Sequence, residues 1–441
     1  MALYSFLVAT LLSIAAAFLP FQPPPPSWGP HNWGVLGRAT ISMACNSSSF
    51  FDPSLGAEFG IVSYDWSNNK ARWAQQRPMN DVELMLEQAA MTQALNPASK
   101  TFIYANLVKA LPWLTYVREK LEDPQFSGYF LPFKPGGAFP NGSWHVPACD
   151  DNYDPPLCSP LYHDQQQTPQ VPSAANPTPD GACVGTCDCG RGVPCGEYLW
   201  DHRNESMRAW LVSTLTGGSG MGSGVISGFF IDDFWCSDQL NLSCTDPVQG
   251  ATEIDRFQQS DMGLSDKDVT DLTSGWLETM TQAQSAILGA GGFTWSLMSG
   301  GENADASPRM VGPDAASCLR ELRASCGNPS SPWASAPLLF GLHPGTNATL
   351  ASLQQDLAAF LLMRGPWAWL GYGVWGMSWP AGTSFISPNG TAAPVPHEFY
   401  IDYGEPAGPC AETASGVFER ALTKAHVRLD CNAWIGNITL G

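Results

Sequence analysis

The stretch Gly228–Asp238, GFFIDDFWCSD, sets two carboxylates at the end of a bulky apolar run. Side chains alternate along a strand, so Phe230 and Asp232 share one face while Phe229, Ile231 and Asp233 share the other. Phe229 and Ile231 make a good apolar face against helices, which turns Asp232 inward and leaves Asp233 to orient a neighbour or cap the following loop. One carboxyl group protonating a leaving oxygen and a second attacking carbon or activating water is the chemistry of glycosidic bond cleavage. Asp232 is the candidate nucleophile or general base, and Glu302, in SGGENADAS, the candidate acid. Adjacent aspartates after a strand also serve simply as turn and cap residues.

Such groups need a frame. Short apolar runs alternate with helical stretches along the chain: strands are expected at 60–67, 101–107, 128–133, 225–235, 293–299, 337–343 and 367–378. Helical spacing falls at 81–95, where Asn80 or Asp81 would cap, and at 266–288, with an acidic first turn that suits the helix dipole. Repeated strand–helix alternation predicts an α/β fold with a parallel sheet, and about eight strands make it an irregular (β/α)8 TIM-type barrel. An open doubly wound sheet is the alternative, disfavoured because no glycine-rich phosphate loop follows the first strand. The barrel is expected over 57–441, with a Cys-rich insertion at about 134–196 and a C-terminal β-hairpin. No helix is expected at 380–396, where a regular barrel would supply one.

In such a barrel the chemistry gathers at the carboxyl ends of the strands. Asp65 and Trp66, Asn106, Trp235, Trp295, His343, Trp375, Asp402 and Tyr403 all fall at or just past expected strand ends. Asp65, Asn106 and Tyr403 would bind sugar hydroxyls. The tryptophans offer faces for sugar rings, although core packing is their ordinary use.

A net charge of −19 with no basic cluster argues against nucleic acid and anionic membranes as partners. Residues 1–17 carry an apolar run ending in Ala15-Ala16-Ala17, which reads as a signal peptide, and 18–56 as an extension after cleavage. There are seven Asn-x-Ser/Thr sequons, at Asn46, Asn141, Asn204, Asn241, Asn347, Asn389 and Asn437. With 13 cysteines, they point to the secretory pathway and an oxidising compartment. Cys183, Cys187, Cys189 and Cys195 lie close together and favour disulfides over zinc, and Cys236–Cys244 and Cys318–Cys326 would close short loops. No histidine pair has metal-ligand spacing. Asp150, Asn152 and Asp154 open like a calcium loop, but Pro155 stands where that loop needs glycine. No cofactor is expected, and no G-x-S-x-G follows a strand.

GFFIDDFW resembles the D-G-hydrophobic-hydrophobic-hydrophobic-D strand of hypothetical glycoside hydrolase-like families with a (β/α)8 barrel. EYLWDHRNESMRAWLV and FYIDYGEPAG followed by GVFERALTKAHVRLD are similar to their pre-strand helix and closing segment. Ser227 departs from the pattern, which has Asp before the glycine, and the Cys-rich insertion is an addition. The resemblance implies a secreted glycoside hydrolase with Asp232 as the catalytic carboxylate and carbohydrate as substrate. A catalytically inactive carbohydrate-binding barrel and a structural extracellular glycoprotein are the alternatives.

Overall fold

The computed structural model describes residues 26–29, 33–44, 46–134, 159–164, 188–233, 262–295, 311–328, 338–343, 350–373 and 395–441. A parallel sheet of seven strands forms its centre: β1 (Thr40–Ala44), β2 (Ile61–Tyr64), β3 (Lys100–Asn106), β4 (Gly228–Asp232), β5 (Phe293–Trp295), β6 (Leu338–Phe340) and β7 (Ala368–Gly373). The spatial order is β5-β4-β3-β2-β1-β7-β6. In a doubly wound sheet the strand after the switch joins β1 and later strands move outward. Here the last strand joins β1 and its predecessor lies outside it, which is the cyclic order of a barrel.

Trp28 shows that the sheet is curled. Its ring lies 6.4 Å from Phe293 on β5 and 6.0 Å from Trp369 on β7. In a flat sheet those strands, five intervals apart, would be separated by about 24 Å. The Lys100 ammonium sits 5.4 Å over the same ring. All three partners stand at or beside the first residue of their strands, so Trp28 plugs the N-terminal end of the barrel.

Helices cover the outside: α1 (Asp81–Leu95), α2 (Thr115–Leu121), α3 (Glu205–Thr216), α4 (Asp266–Gly289), α5 (Ala315–Ser325) and α6 (Leu353–Met363). Local sequence fixes several starts. Ser265 and Asp268 form a reciprocal capping box at α4, Asn204 caps α3 and Asp314 caps α5. Asn80 occupies the N-cap of α1, yet its side chain makes no capping bond. Every residue of α6 from Asp356 to Met363 is buried, because the helix lies between the barrel and a second sheet. That sheet is antiparallel: β8 (Ala411–Ala414), β9 (Val417–Ala421), β10 (Ala425–Asp430) and β11 (Ile435–Leu440), in chain order. The expected hairpin is its central pair.

Three expectations change. The barrel begins before residue 57: β1 lies in the stretch read as an extension, yet stands in the middle of the sheet. Residues 128–133 contribute only isolated bridges, from Phe130 to Trp200 and from Pro132 to Leu161. Cys318 and Cys326 do not pair. Eight residues of helix separate their backbones by about 12 Å, beyond the reach of a disulfide. Cys318 instead bonds Cys431 and Cys326 bonds Cys410, tying α5 to the C-terminal sheet. Cys189 and Cys195 bond each other within the Cys-rich region. No helix among the described residues is long and apolar enough to cross a membrane.

Candidate active site

Register decides which side chains face the barrel interior. Tyr104 pairs with Phe230, and Asn106 with Asp232, across β3 and β4. Phe230 pairs in turn with Trp295 on β5. Tyr104, Asn106, Phe230, Asp232 and Trp295 therefore share one face, and it is the face on which Phe293 and Trp369 reach Trp28. Ser63 lies on it too, through its pairing with Phe102. Asp65, two residues on, lies past the end of β2. The Gly228 position of β4 admits no side chain: a Cβ there would stand 1.9 Å from the Phe293 carbonyl oxygen.

Asp232 ends β4 and is half-buried. The Tyr104 hydroxyl donates to its Oδ2 at 3.1 Å. Asn106 Nδ2 donates to Tyr104 Oη at 2.8 Å and to Asp233 Oδ2 at 2.7 Å. These bonds form one chain from Asp233 through Asn106 and Tyr104 to Asp232. Asn106 Oδ1 accepts from the backbone N–H groups of Val108 and Lys109, at 2.8 and 2.7 Å. Both ends of the Asn106 amide are thus engaged by the protein, so it orients its neighbours and is not free for a sugar hydroxyl.

Asp233 adopts a left-handed backbone, φ 58°, which turns its carboxylate back toward the site. Lys109 Nζ lies 3.1 Å from Asp233 Oδ2 and 3.0 Å from Glu197 Oε2. Lys109 and Glu197 are both buried, held in a small antiparallel sheet of Lys109–Ala110, Glu197–Leu199 and His163–Asp164. Asp233 is the more open of the three, its side chain 22% exposed.

This environment sets the proton on Asp232. Burial first, and the adjacent Asp233 charge second, push its carboxyl from 3.8 up to about 8; Asp65 adds to the rise and Lys109 opposes it. Both causes favour the neutral, protonated form of the Asp232 carboxyl. The sequence reading gave it the ionised role of nucleophile or base. Burial and two neighbouring carboxylates, Asp233 and Asp65, favour the other protonation state. Burial and the charges of Asp232 and Asp233 likewise keep Tyr104 a phenol.

The other residues named from sequence fall in several places. Trp66 is half-buried in an aromatic cluster, 5.1 Å from Trp113 and 6.1 Å from Trp73, with the Lys70 ammonium 5.0 Å over its ring. Trp295 is 4% exposed and packs 4.5 Å from Phe230. It fills the barrel core and offers no open face to a sugar. His343 ends the β6 segment on the same end of the barrel as Asp232, and its Nδ1 and backbone N–H both bond the buried Asp356, at 2.6 and 2.8 Å. Asp402 and Tyr403 stand at the opposite end. Asp402 bridges to Val35, in the segment leading into β1, and pairs with Lys424, while Tyr403 is buried in the second core. Neither reaches the site, because the closing segment runs past the N-terminal ends of the strands. Glu302, Trp235, Trp375, Cys183, Cys187, Cys236, Cys244, Asn141, Asn241, Asn347 and Asn389 lie outside the described residues.

Among the sequons described, Asn437 is exposed on β11, whereas Asn204 is engaged in capping α3 and donating to Gly128. The Asn46 amide donates to Ser49 and Phe50.

Sequence reasoning missed Tyr104, Lys109 and Glu197. A lysine directly after an apolar strand, in a chain with 21 basic and 40 acidic residues, is a usable signal for Lys109. Glu197 carries none, since its role depends on a strand pairing distant in sequence.

No family model matches the chain, and no curated protein matches its sequence. Among solved structures, the chain is similar to a trehalose-6-phosphate hydrolase of Bacillus licheniformis at 10% identity and TM-score 0.32, covering 80% of this chain and 58% of that one. It spans less than two thirds of that enzyme. An alpha-amylase of Geobacillus thermoleovorans, complexed with acarbose, matches at 9% identity and TM-score 0.37, covering 89% and 86%. An alpha-glucosyl transfer enzyme matches at 11% identity and TM-score 0.39, covering 92% and 90%. Strand order and register, independent of these likenesses, make the chain a (β/α)8-type barrel with a carboxylate cluster at the carboxyl ends of its strands.

Proposed function

We propose that the protein is a secreted glycoside hydrolase whose general acid is Asp232 and whose second carboxyl group is Asp65. The observation that carries this reading is a buried carboxyl at a barrel strand end, pushed up to about 8 by burial and the adjacent Asp233, with Asp65 close enough to add to the rise. β2 and β4 flank β3, which sets their backbones about 10 Å apart. Side chains that converge from that spacing fall in the range of two-carboxylate glycosidases, roughly 5 to 9.5 Å between carboxyl groups. Asp232 protonates the departing oxygen. Asp65 attacks the anomeric carbon or activates water on the other side of the ring. Tyr104, Asn106, Asp233 and Lys109 hold the acid in place, and Glu197 anchors Lys109. The signal-like leader, the sequons and three disulfides among the described residues support secretion.

The test separates acid catalysis from other losses. Wild type, Asp232→Asn and Asp65→Asn are assayed on paired alkyl and dinitrophenyl glycosides. A dinitrophenolate departs without a proton, so Asp232→Asn keeps most activity on it and loses about 10²- to 10⁴-fold on the alkyl glycoside. Asp65→Asn loses activity on both. Equal losses for Asp232→Asn on the two substrates would remove it as the acid. Glycan binding without turnover by wild type would make the chain a carbohydrate-binding barrel.

A further inference from the structure

The C-terminal sheet has two edges, β8 and β11, and the chain treats them differently. We propose that an N-linked glycan on Asn437 covers the β11 edge and keeps it from pairing with a second copy of the chain. Glycan transfer to a sequon takes place in the secretory lumen, so this rests on the secreted reading above.

A bare edge strand offers its N–H and C=O groups to any extended chain, and proteins blunt it with charge, proline, a bulge or a cover. β8 is blunted in several ways. It is four residues long, and its register with β9 shifts between Glu412 and Ala414. Arg323 of α5 donates through Nε and Nη2 to the Glu412 carboxylate, at 3.0 and 2.7 Å, and the Cys326–Cys410 disulfide ties the same helix beside the strand. β11 has none of these devices. Its six residues, IGNITL, run in unbroken register with β10 and include no charged residue and no proline. Gly441 N–H donates to the Lys424 carbonyl, which sets the phase of that ladder. Ile435, Asn437 and Thr439 therefore turn their backbone groups to β10, while Gly436, Ile438 and Leu440 turn theirs to the open edge. Among the described residues no strand pairs with them. Ile435 and Leu440 are 55% and 54% exposed, which adds apolar surface to the same edge.

Asn437 stands in the middle of this strand. Ile438 packs toward the second core, so Asn437 lies on the opposite, solvent face, beside Arg428 of β10. Thr439 Oγ1 is 3.5 Å from Asn437 Oδ1, which holds both groups of the sequon on that face. Asn437 Nδ2 bonds none of the described residues, whereas Asn204 gives its Nδ2 to Gly128 and Asn46 gives its Nδ2 to Ser49 and Phe50. In the transfer, Nδ2 bonds to the anomeric carbon of an oligosaccharide carried on a lipid diphosphate. The bond from that carbon to the phosphate oxygen breaks, the diphosphate leaves, and the amide gives up one proton. A glycan is bulky and hydrated, and a strand adding to β11 has to come within about 4.8 Å of the backbone that carries it.

The full chain is expressed in a eukaryotic secretory host with three readouts: appearance in the medium, glycopeptide mapping at every sequon, and molar mass by light scattering. Wild type carries a glycan on Asn437 and runs as a monomer. Asn437→Gln and Thr439→Ala each lose that glycan and associate, with a mass about twofold higher or more. Thr439→Ser keeps the sequon and stays monomeric. Asn437→Glu loses the glycan but places a charge on the edge, and it also stays monomeric, which separates edge protection from any general effect of losing the sugar. Secreted wild type with a bare Asn437 overturns the proposal and leaves the secretory reading standing; a chain that enters no secretory compartment removes both. A monomeric Asn437→Gln, or equal association of Asn437→Gln and Asn437→Glu, overturns the shielding role.

Discussion

Replacing Asp232 by asparagine removes an ionisation that the folded protein resists, and stability should report it. Unfolded, the aspartate releases its proton near 3.8; folded, it holds it to about 8. Between those values the native state binds more protons than the unfolded state, so wild-type stability falls as pH rises. Below 3.8 both states are protonated and the penalty vanishes; above 8 it is complete. The full difference corresponds to at most about 6 kcal/mol. The residue is half-buried, so solvent screens part of the charge, and about 2 to 3 kcal/mol is the expected size. Asp232→Asn has the shape of the protonated acid and no such ionisation. Urea unfolding of both proteins with disulfides intact, from pH 4 to pH 9, should show them nearly equal at pH 4 and the variant ahead by about 2 to 3 kcal/mol at pH 9. A difference that stays flat across that range would refute the protonated state, and with it the role of Asp232 as acid.

The same proton sets the pH–rate profile: kcat/KM on alkyl glycosides should fall on the alkaline side near pH 8, and Asp232→Asn on dinitrophenyl glycosides should lack that limb. Lys109→Met leaves Asp233 and Glu197 facing each other without their cation. It should cost about 3 to 5 kcal/mol in denaturant unfolding, and the alkaline limb of any residual activity should move to higher pH. Gly228→Ala forces a methyl group against the Phe293 carbonyl and should either prevent folding or cost more than about 3 kcal/mol, read from expression and melting. Removing Cys318 and Cys431 together, as serines, opens a loop of 113 residues and should lower stability by about 4 kcal/mol, with the barrel site unaffected in glycoside assays.

The class of fold and the strand face that carries Asp232 were legible in the residue pattern alone. The alternation of apolar runs with capped helices is local information, and β2 to β7 all fall on the stretches it marks, β3 starting one residue early. The split of Asp232 from Asp233 follows from the two-residue period of a strand, which needs no tertiary knowledge. The helix spacing of Cys318 and Cys326 also contained the reason they do not pair. Local patterns failed where partners are distant. β1 is a five-residue strand whose place in the middle of the sheet comes from neighbours on β2 and β7, contributed by opposite ends of the chain. Asp402 and Tyr403 follow an apolar stretch, but only the path of the chain puts them at the far end of the barrel. The protonation state of Asp232 was beyond the sequence for the same reason. A carboxylate's pKa depends on desolvation and on charges within a few ångströms, and Tyr104, Lys109 and Asp65 come to it from other strands. Local spacing picked out Asp232; the neighbours that tertiary packing brings to it set its proton affinity.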